Sequence, residues 1–173
     1  ILYSFLSYIG VNVSVHYPMA SLIEETYLVK KKIHGKCKIV ADGGIRNYSD
    51  VIKALALGAD YVMIGSVFAK MLESSAPICD VSGNILRASD ISYLGGGLFT
   101  DASGNQVNPR KQFYGMASAL GQIDISGKKT KTAEGIDMYL PVEYTMESWV
   151  NNLGDYLRSA MSYTGARNLA DFI

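Results

Sequence analysis

Two short apolar runs, each closed by glycine and followed by a helical pattern, constrain this chain more than any other feature of its sequence. The runs occupy residues 38–41 and 61–64, and the turns that close them are Asp42-Gly43-Gly44 and Gly65-Ser66. Apolar runs of this length that end at glycine are typical of buried strands meeting tight turns. Because helical patterns follow both strands over short loops, we predict an α/β fold with two parallel β/α units.

Helical patterns lie on either side of the first strand. Residues 19–32 place apolar side chains at helical spacing and end in three lysines, with Gly35 behind them, which predicts a helix and its end. The next helix follows the first glycine turn. Ser49 or Asp50 can cap its start, and Gly58 can end it.

The pattern changes after the second glycine turn. Residues 67–73 have helical spacing, but residues 76–112 have no long helical period and are punctuated by Ser-Gly-Asn and Gly-Gly-Gly, which predicts hairpins and loops. Residues 114–141 are rich in Gly, Lys and Thr, so we expect a mobile flap there. An amphipathic helix follows, with apolar positions at Trp149, Leu153, Leu157 and Met161.

These patterns together predict a single incomplete domain over residues 1–173. Its β/α units occupy residues 1–75, a hairpin excursion and flap occupy 76–141, and terminal helices occupy 142–173. We see no internal repeat beyond the two β/α units.

Composition narrows the classes of function. Of the 173 residues 49% are hydrophobic, enough for a buried core, and 16 basic residues balance 16 acidic ones. A neutral chain without a long Lys/Arg run lacks the electrostatic surface that binds nucleic acid or anionic membranes. No apolar stretch is long enough to span a bilayer. We therefore expect a soluble, cytoplasmic protein with neither membrane nor nucleic acid as a partner.

The start of the chain predicts a fragment. Residues 1–9 are apolar but lack a basic leader and a small-residue cleavage site, which argues against a signal peptide. The chain also has no initiator Met and opens inside an apolar run.

The two glycine turns are the strongest candidates for a ligand site. Glycine lets the main chain approach a ligand without a Cβ in the way, and a helix N-terminus behind each turn presents N–H groups to an anion. Two such turns at the C-terminal ends of adjacent parallel strands form the phosphate site common in TIM barrels. We therefore predict a phosphate at these turns, with Asp42 accepting hydrogen bonds from a ribose. The alternative is that Gly43, Gly44 and Gly65 are ordinary turn glycines.

Longer segments carry a family resemblance. Residues 38–77, KIVADGGIRNYSDVIKALALGADYVMIGSVFAKMLESSAP, are similar almost position for position to the seventh and eighth β/α units of the IMP dehydrogenase/GMP reductase family. KQFYGMASALG at 111–121 resembles the start of that family's flap, residues 132–135 its base-binding segment, and residues 151–172 its terminal helix. The resemblance implies the C-terminal part of a (β/α)8 TIM barrel, about its last two to three β/α units, with an inserted hairpin and flap region.

The resemblance also assigns roles to residues of the nucleotide site. Asp42 would hold the ribose. The 5′-phosphate would be held by Gly44, Gly65, Ser66 and Tyr114, and Gly43 would be a further substrate-binding residue. Taken without the resemblance, Tyr114 would be a half-buried packing aromatic.

Base and cofactor contacts follow from the same resemblance. Glu134, with Gly135 beside it, would contact the N1 edge of the base, where a carboxylate can accept from N–H. Taken alone, Glu134 would be a solvated flap carboxylate. Met116 and Lys131 would contact the cofactor. The main chain facing the six-membered ring of the purine would be that of Gly115, Met116 and Ala117.

The sequence lacks the nucleophile that the resemblance implies. The family attacks C2 of the purine with a cysteine thiolate in the loop before the helix that begins near Pro18, and its spacing leads here to Ser7. A serine hydroxyl is a much poorer nucleophile than a low-pKa thiol. Cys37 and Cys79 lie elsewhere, and we expect both to be structural. The attacking group is therefore unknown, Glu134 is the remaining catalytic candidate, and we expect this chain alone to be inactive.

The flap separates the family's two activities. The dehydrogenase needs an Arg-Tyr pair to activate water, and no arginine occurs between Gln112 and Leu157. The resemblance thus favours a GMP reductase, which converts GMP and NADPH to IMP and ammonia. An IMP dehydrogenase with NAD is one alternative, and a non-catalytic remnant that binds purine nucleotides is another. The resemblance also implies a homotetramer and, in the complete protein, a monovalent cation. We expect no other metal.

Overall fold

The computed structural model of this protein describes residues 17–115, 118–128, 131–132 and 137–173. The chain divides into two compact units. The first unit comprises the described residues of Ile1–Gly65 together with Asn152–Ile173, and the second comprises those of Ser66–Asn151. Helices and strands occur in both units, so the chain is α/β as predicted.

The first unit is built around a pair of parallel strands. Up to Gly65 its elements in chain order are α1 (Met19–Lys32), β1 (Val40–Asp42), α2 (Tyr48–Ala56) and β2 (Tyr61–Met63), and the helical residues from Asn152 onward also belong to it. The strands pair in parallel, with Val40 opposite Tyr61 and Asp42 opposite Met63, which confirms the predicted parallel β/α arrangement. The buried apolar side chains of this stretch come from the two helices, from β1 and from the loops beside the strands. They are Ile23, Ile39, Ala41, Ile45, Val51, Ala54 and Ala59.

α1 and α2 are each followed by a left-handed residue, which at the end of α1 is not the residue that the sequence indicated. α2 ends as predicted, because Gly58 has a φ of 102° and its N–H donates to the Leu55 carbonyl at 3.0 Å. At the end of α1 the left-handed residue is His34, with a φ of 49°, and not Gly35. Gly35 instead donates its N–H to the Lys30 carbonyl at 2.8 Å. The two residues together satisfy the last carbonyls of the helix.

The cap of α2 also differs from the prediction. Asn47 caps the helix, since its side-chain oxygen accepts the Asp50 N–H at 3.0 Å, whereas Ser49 and Asp50 lie inside the first turn. The Asp50 carboxylate in turn accepts the Arg46 N–H at 2.9 Å. An asparagine is as good a cap as serine or aspartate, so composition alone did not distinguish the three positions.

The second unit is dominated by antiparallel strands. They are β3 (Ile78–Cys79), β4 (Ile85–Leu86), β5 (Ile91–Gly95), β6 (Leu98–Asp101), β7 (Gln106–Val107), β8 (Arg110–Tyr114) and β9 (Asp137–Pro141). One sheet has the order β4-β3-β8-β9 and the other the order β5-β6-β7. The hairpins predicted for this part of the chain are confirmed. A short 3-10 helix, Ala88–Asp90, connects the two sheets in sequence.

The helix that opens this unit is shorter than predicted. α3 covers Ser66–Ala69, and the chain then leaves the helix. Met71 forms a bridge with Tyr144, and the Leu72 N–H donates to the Tyr144 carbonyl at 3.0 Å. Pairing with a distant segment therefore replaces the remaining helical turn that local spacing indicated.

Residues 114–141, where we expect a mobile flap, contain regular elements in their described parts, although their sequence has little periodicity. β8 and β9 pair over five residues, from Arg110 opposite Pro141 to Tyr114 opposite Asp137. Between them lies α4 (Ala119–Ser126), capped by Ser118, whose hydroxyl accepts the Gly121 N–H at 3.1 Å. α4 lacks a clear apolar stripe, which is why its sequence gave no helical signal.

An internal repeat escaped the sequence analysis. Residues 80–84 and 101–105 both have the pattern Asp-x-Ser-Gly-Asn, and each closes a hairpin. Asp80 accepts the N–H groups two and four residues ahead at 2.8 and 2.9 Å, and Asp101 does the same at 2.9 and 2.8 Å. The repeat is only five residues long, below the length at which fold repeats are sought.

The terminal helix predicted around Trp149 is confirmed as α5 (Met146–Thr164), followed by α6 (Leu169–Phe172). The division between the two units falls within α5, after Asn151. Trp149 is buried and meets the Phe68 ring edge-on, with centroids 6.2 Å apart. In the part of the chain that the structure describes, no helix is long and apolar enough to cross a membrane.

Candidate nucleotide site

The glycine turns of the first unit lie at one edge of its parallel pair. Asp42 and Met63 are paired at the ends of β1 and β2, and Gly44 and Gly65 each follow two residues later. Neither the Gly44 N–H nor the Gly65 N–H donates a hydrogen bond to any described residue. Parallel strands point their carboxyl ends the same way, so two unused main-chain donors leave the sheet at the same edge.

The two turns use glycine for different reasons. Gly43 and Gly44 have φ angles of 91° and 75°, a region that disfavours residues with a Cβ. Gly65 has no such requirement, and a Cβ built on it would meet no atom of the described residues within 4 Å. Neither backbone conformation nor packing against the described residues explains the glycine at 65. The space in front of it is open, as the approach of a ligand would need.

Asp42 is a half-buried carboxylate without a hydrogen-bond or ion-pair partner among the residues that the structure describes. Burial raises its pKa above the ordinary aspartate value. Asp60, in the same unit, is the opposite case. It accepts from Lys30 and Lys38 at 2.8 Å each and from the Ile39 N–H at 2.8 Å, and the lysines and the N–H hold its pKa well below the usual range despite its desolvation. Asp42 thus has acceptor capacity that the described chain does not use.

The helix N-termini contribute less than the sequence predicted. At the start of α2, Asn47 takes one N–H and the Asp50 carboxylate already lies in the first turn, where it opposes a second anion. α3 has only four residues, so its dipole is small. The phosphate prediction therefore rests on the glycine turns.

In the second unit, the described candidates are Ser66, Tyr114 and Gly115. Ser66 is half-buried at the start of α3. Tyr114, at the end of β8, is 38% exposed, and its hydroxyl donates to the Asp124 carboxylate of α4, which raises the tyrosine pKa. A Cβ on Gly115 would meet no atom of the described residues within 4 Å. Sequence reasoning missed Asp124, because a lone aspartate in an unrecognised helix carried no signal.

Several predicted site residues lie outside the described ranges. They are Ser7, Met116, Ala117, Glu134 and Gly135. Lys131 is described and exposed, and its main-chain N–H donates to the Gln122 side-chain oxygen at 2.9 Å. The remaining candidates divide between the two units, since Gly65 closes the first and Ser66 opens the second. Their convergence on a single pocket stays a prediction.

The two cysteines differ in their surroundings. Cys79 is buried in β3 and its thiol donates to the Arg110 carbonyl at 3.6 Å, as a structural residue does. Cys37 is exposed, so the expectation that it is structural has no support from packing.

Comparison with known proteins gives a consistent assignment. The family described as IMP dehydrogenase / GMP reductase domain matches residues 10–173. The GMP reductase of Streptococcus agalactiae serotype Ia is 31% identical over 131 residues, which is 76% of this chain and 31% of the relative. The inosine-5′-monophosphate dehydrogenase of Borreliella burgdorferi is 34% identical over 133 residues, 77% of this chain and 30% of the relative.

A third relative, the GMP reductase of Streptococcus pneumoniae strain Hungary19A-6, is 31% identical over 133 residues, 77% of this chain and 32% of the relative. The chain thus spans only 30 to 32% of the length of these relatives. The family match, in contrast, covers nearly all of the chain and includes both glycine turns. The chain therefore belongs to the IMP dehydrogenase/GMP reductase family of oxidoreductases.

Proposed function

We propose that this chain is the nucleotide-binding part of a GMP reductase-like enzyme, which converts GMP and NADPH to IMP and ammonia. The observation that carries the proposal is the edge of the parallel pair in the first unit. A half-buried carboxylate without a described partner, Asp42, lies at this edge together with the N–H groups of Gly44 and Gly65, which donate to no described residue. Donors for an anion and an acceptor for hydroxyls are the two complements that a sugar phosphate needs.

In the proposed complex the main chain binds the 5′-phosphate. Gly44 and Gly65 donate to its oxygens, and the absence of a Cβ at 65 lets the phosphate approach closely. Asp42 accepts from the ribose hydroxyls, and this hydrogen bonding to the charged form offsets the burial that raises its pKa. The family resemblance also assigns Ser66 and Tyr114, which belong to the second unit, to the phosphate. For Tyr114 this requires that its hydroxyl leave the Asp124 carboxylate.

The flap favours the reductase over the dehydrogenase. Release of a covalent purine by water needs a positioned base, worth about 10²–10⁴-fold in rate. No arginine lies between Gln112 and Leu157, so the Arg-Tyr pair of the dehydrogenase has no counterpart. Reduction needs no such base, since the hydride comes from NADPH and ammonia leaves. IMP dehydrogenase stays the alternative, because relatives of both names resemble this chain at similar identity.

The remaining parts of the proposal concern the complete protein. It would be a TIM barrel and a cytoplasmic homotetramer, with a monovalent cation and with Met116 and Lys131 near the cofactor. Lys131 is exposed and suits contact with an anionic cofactor. Since Ser7 stands where the thiolate is expected, the chain on its own would bind nucleotide without turnover. A non-catalytic purine-nucleotide-binding protein is therefore the second candidate.

Calorimetric titration of the purified chain with GMP and with guanosine tests the site. We expect GMP to bind more tightly than guanosine, because only GMP carries the phosphate. Gly65→Ala should weaken GMP by at least about tenfold and leave guanosine unchanged, since a methyl group then occupies the phosphate approach. Gly154→Ala is the matched control, because its Cβ would meet only the Arg158 guanidinium at 3.6 Å. Equal binding of GMP and guanosine by the unaltered chain would refute the proposal.

The direction of the reaction is tested on the complete protein, assayed with GMP plus NADPH and with IMP plus NAD. The proposal expects NADPH oxidation that depends on GMP. Steady NADH formation from IMP, without reduction of GMP, would establish the dehydrogenase instead.

A further inference from the structure

Lys111 is a buried lysine in the middle of the second unit. It lies on β8 between the partners Ile78 of β3 and Leu140 of β9, and only 1% of its surface is exposed. Lysine is among the residues least often buried to this extent, because removing its charge from water is costly. A site that retains one needs an explanation from its contacts.

The contacts of Lys111 are main-chain carbonyls. Its ammonium donates to the Leu72 carbonyl oxygen at 2.7 Å and also to the Ser74 carbonyl oxygen. Burial lowers the pKa of Lys111, and the nearby negative charge of Glu73 opposes this shift. The ammonium therefore joins β8 to the loop around Leu72 and Ser74, which does not pair with β8 as a strand.

That loop continues directly from the predicted phosphate residue Ser66. On its other side the segment is fastened to the residues that follow β9. The Tyr144 hydroxyl donates to the Val67 carbonyl at 3.2 Å, and the Lys70 ammonium contacts the Glu143 carboxylate at 2.7 Å. The segment thus bonds both to the residues after β9 and to β8, and Lys111 makes the bonds to β8.

We propose that Lys111 is a positioning residue for the phosphate part of the site. It fixes the Leu72 and Ser74 carbonyls against β8, and so keeps Ser66, at the start of that segment, in a set arrangement with Tyr114, three residues further along β8. This inference rests on the proposed function, in which both residues bind the 5′-phosphate. Lys111 itself, enclosed in the sheet, does not touch the nucleotide.

The test compares Lys111→Met with Arg110→Met in the full chain. Methionine matches the length and apolar stem of lysine but cannot donate to the carbonyls. Arg110 is the next residue of β8 and is exposed, so its replacement controls for loss of a positive charge on that strand. Lys111→Gln, which keeps an N–H donor, is measured in parallel, so that the test does not depend on the folding of one variant.

Two readouts separate positioning from general stability. The first is the ratio of GMP to guanosine affinity, which we expect Lys111→Met to lower by about tenfold while Arg110→Met leaves it within twofold. The second is hydrogen exchange, which should accelerate by about tenfold at the amides of residues 72–76 in Lys111→Met.

The outcomes distinguish the two proposals. If the unaltered chain prefers GMP and folded Lys111→Met keeps the same ratio, the positioning role is refuted and the proposed function stands. If the unaltered chain binds GMP no better than guanosine, the proposed function fails, and the positioning role fails with it. Faster exchange with an unchanged affinity ratio also refutes positioning, because Lys111 would then only stabilise the loop.

Discussion

The two units of this chain hold their short segments in place by different kinds of interaction. In the first unit a close-packed parallel pair brings glycine turns to one edge, and the candidate ligand groups there are main-chain atoms and one carboxylate. In the second unit, side chains bond to distant main-chain carbonyls, as Lys111 does to Leu72 and Tyr144 to Val67. The first kind of organisation is visible in the sequence, because glycines follow short apolar runs. The second depends on partners far apart in sequence.

Glycines show the difference at single positions. Gly58 and Gly104 are both left-handed, with φ angles of 102° and 83°. A Cβ on Gly58 would lie 2.4 Å from the Tyr27 ring, whereas one on Gly104 would meet nothing within 4 Å. Gly58 of the first unit therefore serves conformation and close packing together, whereas the hairpin residue Gly104 of the second serves conformation alone.

The largest effect should come from Gly58→Ala. The substitution combines left-handed strain with a clash that α1 must move to relieve, because the contacted atoms include Tyr27 Cβ at 2.7 Å. We expect the free energy of unfolding to fall by about 3 kcal/mol. Urea denaturation followed by circular dichroism measures it. A loss no greater than that of Gly104→Ala would show that the close packing of α1 against Gly58 contributes nothing.

A smaller effect should follow from Asp60→Asn, which weakens the links from α1 and β1 to the start of β2. Loss of charge-assisted hydrogen bonds to Lys30 and Lys38 should cost about 2 kcal/mol at pH 7. The control is Asp155→Asn, whose partner Arg158 and whose own side chain are both 77% exposed, and it should change stability by less than about 0.5 kcal/mol.

The stability lost in Asp60→Asn should depend on pH in a definite direction. The pKa of Asp60 is depressed in the folded chain, so its stabilisation is present above the unfolded value of 3.8 and is lost as pH falls below it. The difference in free energy of unfolding between the unaltered chain and Asp60→Asn should therefore shrink as the pH falls from about 4 to about 2. A gap that stays constant over this range would mean that the ion pairs contribute nothing.

The smallest effect should come from Gly104→Ala in the second hairpin turn. Strain without a clash should cost about 1 kcal/mol. Gly83→Ala in the matching turn, where φ is 88° and the space is equally open, should cost the same within error. Unequal costs for these two would show that the pentapeptides, although alike in hydrogen bonding, differ in what surrounds them.

The features that could be predicted from the sequence are those that depend on neighbouring residues. The parallel pair, the end of α2 at Gly58 and the terminal helix around Trp149 were all readable, because glycine and apolar periodicity signal them locally. Asn47 and His34 were missed by one or two positions, since several neighbours could serve as a cap or a left-handed residue.

Lys111 could not have been found from the sequence. A lysine in a strand suggests a solvent-facing position, and a hydrogen bond to a main-chain carbonyl leaves no trace in the identity of Leu72 or Ser74. The pairing of β8 with β9 was missed for a related reason, because its two strands are separated by α4 and by segments with no turn signal of a hairpin.

The open space in front of Gly65 has a consequence for how variants of this protein would behave in a cell. Chaperones and proteases act on the unfolded fraction of a protein. An alanine at 65 meets no described atom within 4 Å, so it creates no clash there that would raise that fraction. Such a variant would accumulate to normal abundance. A screen that scores expression or solubility would therefore class it as neutral, and under the proposed function only an assay of nucleotide binding would expose the defect.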